Sequence, residues 1–186
     1  MGRPKKFHRE GVLDRVIPVF WTNGFVGANL QQIEEATGVN KSGIYSEFES
    51  KDELFVAALK RYLDTGPATR ILDREPFGWQ NIEEFLIVAP QVRAGLGGCF
   101  SVNSTRDIAT LPVEAEKLIK GFNDERMKSI RINLAAELPK GSVDSVADLV
   151  WTFFSGMCIN ANLGIDSVAH QKQVKSFMRL AKSAAS

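Results

Sequence analysis

Residues 37–48 read TGVNKSGIYSEF. A glycine follows the opening threonine, a second glycine lies inside the run, and serine, tyrosine and lysine occupy places where a buried helix would carry leucine. With Ile44 and Phe48 as the inward pair one turn apart, a helix here turns Ser42 and Ser46 directly away at about 100° per residue, with Gly43 and Tyr45 beside them. An outer face of small polar side chains allows close approach to base edges in a DNA major groove. The glycine removes a side chain that would hold the groove off, and the Tyr45 hydroxyl or a lysine ammonium can reach phosphate.

The flanking sequence supplies a frame for that helix. Upstream, 8–22 places Val12, Leu13, Val16, Ile17 and Phe20 on one side and stops at Asn23-Gly24, glycine being suited to the left-handed turn after a helix. A second helix begins at Asn29, with Gln32 completing a capping box, and ends by Thr37-Gly38; its Leu30, Ile33 and Ala36, with Val39 in the turn, set the angle to the third helix. Asn40 caps that third helix. Ser50-Lys51-Asp52-Glu53 opens a fourth, through about Tyr62. Two further groups can meet DNA: the basic arm Arg3, Lys5 and Lys6, and Lys51 beside the N–H groups that start the fourth helix. The plain alternatives are a solubilising tail and a solvated surface charge.

Strand periodicity is almost absent, so the chain is predicted to be all-α. Breakers at Thr65-Gly66-Pro67 and Glu75-Pro76-Phe77-Gly78 separate the N-terminal helices from a larger helical region, itself interrupted by Pro90 and by Gly95, Gly97 and Gly98. There, 113–138 carries Leu118, Ile119, Phe122, Met127, Ile130, Leu134 and Leu138 along one stripe. The segment 143–163 is apolar nearly all round, so it needs cover on two sides, and 168–182 presents Val174, Phe177, Met178 and Ala181. These last two helices suit a four-helix interface with a second copy.

Composition bounds the function classes. With 44% hydrophobic and 24% charged residues over 186 positions, the chain can bury a sizeable core. No apolar run spans a bilayer and the N-terminus lacks a secretory core, so a cytoplasmic protein with no membrane partner is expected. A net charge of +1 makes the position of charge more informative than its sum. Two cysteines, Cys99 and Cys158, and two histidines, His8 and His170, give neither a disulfide framework nor a metal-ligand spacing. No nucleophile, base and orienting group can be assembled: GLGG at 95–98 is not a dinucleotide fingerprint, His8 lies in the arm, and His170 falls on a helix that reads as exposed. Neither catalysis nor a cofactor is expected.

The stretch FWTNGFVGANLQQIEEATGVNKSGIYSEFESKDELFVAALKRY, residues 20–62, resembles the DNA-binding domain of TetR-like transcriptional regulators. The marks are the Asn23-Gly24-Phe25 turn, the LQQIEEATGV helix, the Gly-Ile-Tyr-Ser-Glu-Phe helix and Ser50 to Phe55 opening the fourth. The resemblance covers about residues 8–65 and is weaker beyond, although Gly98 to Asn103 looks like the start of a middle helix in one branch of the family. It implies a helix-turn-helix domain over 1–62 and a helical effector-binding and dimerisation domain over 63–186. It also implies a homodimer, joined through the last two helices, that binds near-palindromic double-stranded operator DNA and is released by a small-molecule effector. Carried over by position, Lys41, Ser42, Gly43 and Tyr45 would meet the groove and its phosphates, and Asn29 and Lys51 the backbone. Pro18 departs from the pattern, since proline inside the first helix removes the hydrogen bond to the Asp14 carbonyl and is expected to kink it.

In the larger domain, Phe100, Met127, Trp151, Phe153, Phe154 and Met157 can line an apolar cavity, with Asn103, Asn160 or Asn162 orienting a ligand; the alternative is plain core. Cys99 follows the glycines of GLGGC and, if it sits at a helix N-terminus, would have a lowered pKa, which opens a second reading as a redox or electrophile sensor. A third is a helical ligand-binding protein without DNA function.

Overall fold

The computed structural model describes residues 7–91, 96–164 and 166–184. Arg3, Lys5 and Lys6 of the basic arm lie outside them. Ten α-helices and short 3-10 turns make up the described regular structure, without a strand among the described residues: α1 Arg9–Gly27, α2 Leu30–Thr37, α3 Lys41–Glu47, α4 Lys51–Thr65, α5 Pro67–Leu72, α6 Trp79–Val88, α7 Phe100–Ser104, α8 Val113–Ala135, α9 Val143–Ala161 and α10 Ser167–Ala184. None is long and apolar enough to cross a membrane among the described residues.

By packing, the chain divides into two compact units. Among the described residues, the first comprises those of 7–65 with 103–119, and the second those of 66–102 with 120–184. This division by packing falls at 65/66, and a later segment joins the first unit. The reason is local: the 3-10 turn Thr105–Thr110 packs on α1. There Gly24 takes φ +71°, and a Cβ at that position would stand 2.8 Å from Asp107 Oδ2.

In the first unit α1 and α4 form the core. Val16, Ile17 and Phe20 face Leu54, Phe55, Ala58 and Leu59, all essentially inaccessible, and each such large side chain contributes about 1.5–3 kcal/mol of burial. Edge-on aromatic contacts join Phe20 and Phe25 to Phe55, and Trp21 to Tyr62, with centroids 5.0–5.1 Å apart. Arg61 clasps Asp14 with two 2.7 Å bonds. The break in α1 falls at Gly24 and not at Pro18, which lies within helical dihedrals. A proline φ is itself helical, so only one hydrogen bond is given up, and the helix breaks at the Asn23-Gly24 turn where its stop was expected, before a short last turn to Gly27.

The second unit centres on α6, α8, α9 and α10. Asn133 of α8 ties it to the preceding segment: its Nδ2 donates to Leu72 O at 2.7 Å, and its Oδ1 accepts from Gly78 N at 3.0 Å and Asn81 Nδ2 at 2.9 Å. His170, expected on an exposed face, is buried, and its Nε2–H donates to Leu86 O at 2.9 Å. That bond joins α10 to α6. Phe153 and Phe177 stack with centroids 4.1 Å apart and join α9 to α10.

Candidate nucleic-acid interface

The α2–α3 corner is built from caps that each answer an orphan backbone group. Asn29 Oδ1 accepts from Gln32 N at 3.0 Å while Gln32 Oε1 accepts from Asn29 N at 2.9 Å, the reciprocal pair expected of a capping box. Gly38 ends α2 in the left-handed region at φ +69°. Thr37 Oγ1 donates to Ile33 O and accepts from Val39 N, which carries the chain into the turn. Asn40 Oδ1 then accepts from Gly43 N at 2.9 Å and starts α3. Lys41 N donates to the Glu34 carboxylate, pinning one helix to the other.

The rotation of α3 follows from its two apolar residues. Ile44 and the C-cap Phe48 are fully buried, so Lys41, Ser42, Tyr45 and Ser46 face outward, Tyr45 being 38% exposed. Asn29 is exposed as well. These five are therefore accessible on one corner. Ser46 Oγ donates to Gly43 O at 2.8 Å, which leaves its lone pairs outward.

Two of the expected contacts take a different place. Gly43 is not simply an opening toward a groove: a Cβ on it would come within 2.6 Å of Val39 Cγ1 and 3.3 Å of Phe7 Cε1. Its role is to let α3 close on its own turn. Lys51 is half-buried, with Nζ 3.4 Å from Val26 O and 4.9 Å from the Phe25 ring centroid. Burial pushes its ammonium below the ordinary lysine value, opposed by Asp52. It braces the α1–α2 turn, with Asp52 and Glu53 beside it in the first turn of α4.

Arg9 is a fixture that no local pattern marked. Its guanidinium donates to Glu47 O at 2.7 Å and Glu53 Oε1 at 3.1 Å and lies 4.2 Å over the Phe48 ring. It thus fastens α1 to the end of α3 and the start of α4. Glu53 in turn accepts from Glu49 N at 2.6 Å, one residue before the position a capping box predicts, while Ser50 Oγ accepts from Glu53 N as expected. The Glu49 N–H and Arg9 hold the Glu53 carboxyl below its ordinary value.

The residues expected to line an effector cavity lie on α7, α8 and α9 or, for Cys99, just before α7. Cys99, Phe100, Phe154 and Met157 are buried in the second unit, and Met127 and Trp151 are half-buried there, whereas Asn103 groups with the first unit. Phe154 meets Phe85 and Trp151 with centroids 4.7 and 5.3 Å apart. Met157 lines a groove of about 540 Å³ between α9 and α10 with Phe153, Asn160, Phe177 and Leu180. Cys99 precedes α7 but is buried against Cys158, whose thiol is pushed well up by its bond to Cys99 and by burial. Two thiols buried against each other are poorly accessible to an electrophile, which weighs against electrophile sensing.

Residues 13–58 match the family described as bacterial regulatory proteins, tetR family. The repressor ComR of Escherichia coli, described as an HTH-type transcriptional repressor, is 43% identical over 175 residues, covering 88% of this chain and 83% of that protein. Among solved structures, two cysteine-substituted forms of the TetR family regulator CifR bound to 26-bp double-strand operator DNA superpose with TM-scores of 0.80 and 0.78. Identities are 24% and 25%, over 96% and 95% of this chain and 98% of each regulator.

Proposed function

The chain belongs to the TetR family of bacterial regulatory proteins, and from that premise we propose that it is a cytoplasmic transcriptional repressor that binds near-palindromic operator DNA as a homodimer and lets go when a small molecule occupies its second unit. One observation carries the DNA reading. Helix α3 buries Ile44 and Phe48 and leaves Lys41, Ser42, Tyr45 and Ser46 outward, a short-side-chained face that can lie against base edges. The hydroxyls of Ser42 and Ser46 read edges, Tyr45 and Lys41 take phosphates, and Asn29 braces the strand from the neighbouring corner. The basic arm adds a sequence-independent attraction.

Dimerisation is supported by the apolar surface that α9, the turn after it and α10 leave uncovered: Leu149, Ile159, Leu163, Val168 and Leu180 are each more than half exposed. Exposed apolar side chains of this size suit an interface, on other residues than the Val174, Met178 and Ala181 expected from the sequence, which are buried within the chain. Two reading heads related by a two-fold then meet successive major grooves about 34–36 Å apart. An effector that couples to them by roughly 1–3 kcal/mol weakens binding about 5- to 150-fold, enough to switch a promoter.

Electrophoretic titration of the DNA upstream of the protein's own gene tests this reading. The wild type should prefer that fragment over a scrambled one, and Ser42→Ala/Ser46→Ala should erase most of the preference while the protein stays folded. Equal affinity of wild type and variant for both fragments would sink it, and would favour a ligand-binding protein without DNA function.

A further inference from the structure

Three polar side chains on one face of α8 are buried in the second unit: Arg126, Ser129 and Asn133, spaced by three and four residues. Two of them are fully accounted for. Asn133 bonds to Leu72, Gly78, Asn81 and Ser129, and Ser129 Oγ donates to Asp73 Oδ1 at 2.7 Å. Arg126 breaks the pattern. It is only 7% exposed, and its Nε and Nη1 have no hydrogen-bond partner among the described residues.

What surrounds the guanidinium compensates it only in part. Its carbon lies 5.2 Å from the Phe122 ring centroid, one turn back on α8. Asp73, and after it Glu125, attract it through space, yet neither bonds to an orphan atom. Burial pushes the group down from its ordinary value, but a guanidinium keeps its proton at any physiological pH. A buried charged donor without an acceptor is among the costlier features a fold can carry. A core position needs no arginine, so the charge points to a ligand that arrives with the missing acceptor.

We propose that Arg126 is the anion-binding residue of the effector site, and that the effector carries a carboxylate on an aromatic or aliphatic body. This rests on the effector reading given above. A monoanion is the better match, because one guanidinium already shared with Asp73 cannot balance a dianionic phosphate. Phe122 beside it supplies an apolar wall for the rest of the molecule.

Thermal unfolding of the full chain provides the test, with benzoate and octanoate set against benzamide, octanamide and phenyl phosphate, in the wild type, Arg126→Met and Arg126→Lys. The carboxylates should raise the wild-type midpoint and the amides should not. Arg126→Met should bind carboxylate roughly 10- to 100-fold more weakly, and Arg126→Lys should keep part of the affinity. Without ligand, Arg126→Met should unfold at the same temperature as the wild type or higher, since an apolar chain of similar length replaces a buried charge that is only partly compensated. A ligand-free Arg126→Met that unfolds several degrees lower would make the arginine structural and overturn the proposal. So would amides or phenyl phosphate matching the carboxylates, or no carboxylate raising the wild-type midpoint. The two readings fail separately: carboxylates that bind through Arg126 but leave operator DNA bound keep the anion site and remove the effector role. An uncharged compound that releases DNA equally from wild type and Arg126→Met does the reverse.

Discussion

Gly43 shows how two effects at one residue are weighed. Replacing it by alanine gains roughly 1 kcal/mol of helix propensity, but the new Cβ would press within 2.6 Å of Val39 Cγ1. Valine is stiff at χ1 and this one is buried, so overpacking at about 1–3 kcal/mol outweighs the gain. Gly43→Ala is therefore expected to lower the midpoint of denaturant unfolding with an unchanged slope; a raised midpoint would return the glycine to a groove-clearing role. Glu53 gives a pH-dependent counterpart. The Glu49 N–H and Arg9 depress its pKa below the ordinary 4.5, so its contribution is present above that value and fades as pH falls through the lower folded one. Glu53→Gln should thus cost stability at neutral pH and little in strong acid, read from unfolding midpoints across that range. The side chain is well exposed, and the effect should be modest.

Among the elements, those whose signals are local stood plainly in the sequence. Asn29 with Gln32, Asn40, Ser50 and the glycine at 38 each act on groups within a few residues, and all four do so in the structure. The inward rotation of α3 was equally legible, since Ile44 and Phe48 fix it by spacing alone. Contacts between distant segments were not. Nothing near His170 announces Leu86, nothing near Lys51 announces Val26, and Cys99 and Cys158 are far apart in the chain yet share one buried site. The orphaned Arg126 was hidden for the same reason, as an arginine on an amphipathic helix reads as solvated until its surroundings are known. At this scale Lys51 is a clamp on the α1–α2 turn. Lys51→Met should keep the turn's apolar packing and leave the salt dependence of DNA binding nearly unchanged. A slope lower by about one would show the ammonium on phosphate instead.

For the molecule as a whole, the proposed dimer is the feature on which operator recognition depends. Paired substitutions Ile159→Lys and Leu180→Lys place charge on the uncovered α9 and α10 surface. Sedimentation should then show monomers with unchanged helical content, and operator affinity should fall by orders of magnitude while nonspecific binding persists. A variant that remains dimeric would put the interface elsewhere. The outward face of α3 is tested most directly by probing groove atoms of the DNA upstream of the protein's own gene with dimethyl sulfate. Guanine N7 in two successive major grooves, centred about 34–36 Å apart, should be protected by the wild type and exposed again with Ser42→Ala/Tyr45→Ala. Protection confined to the minor groove, or unchanged in that double variant, would contradict the assignment of α3 as the reading helix.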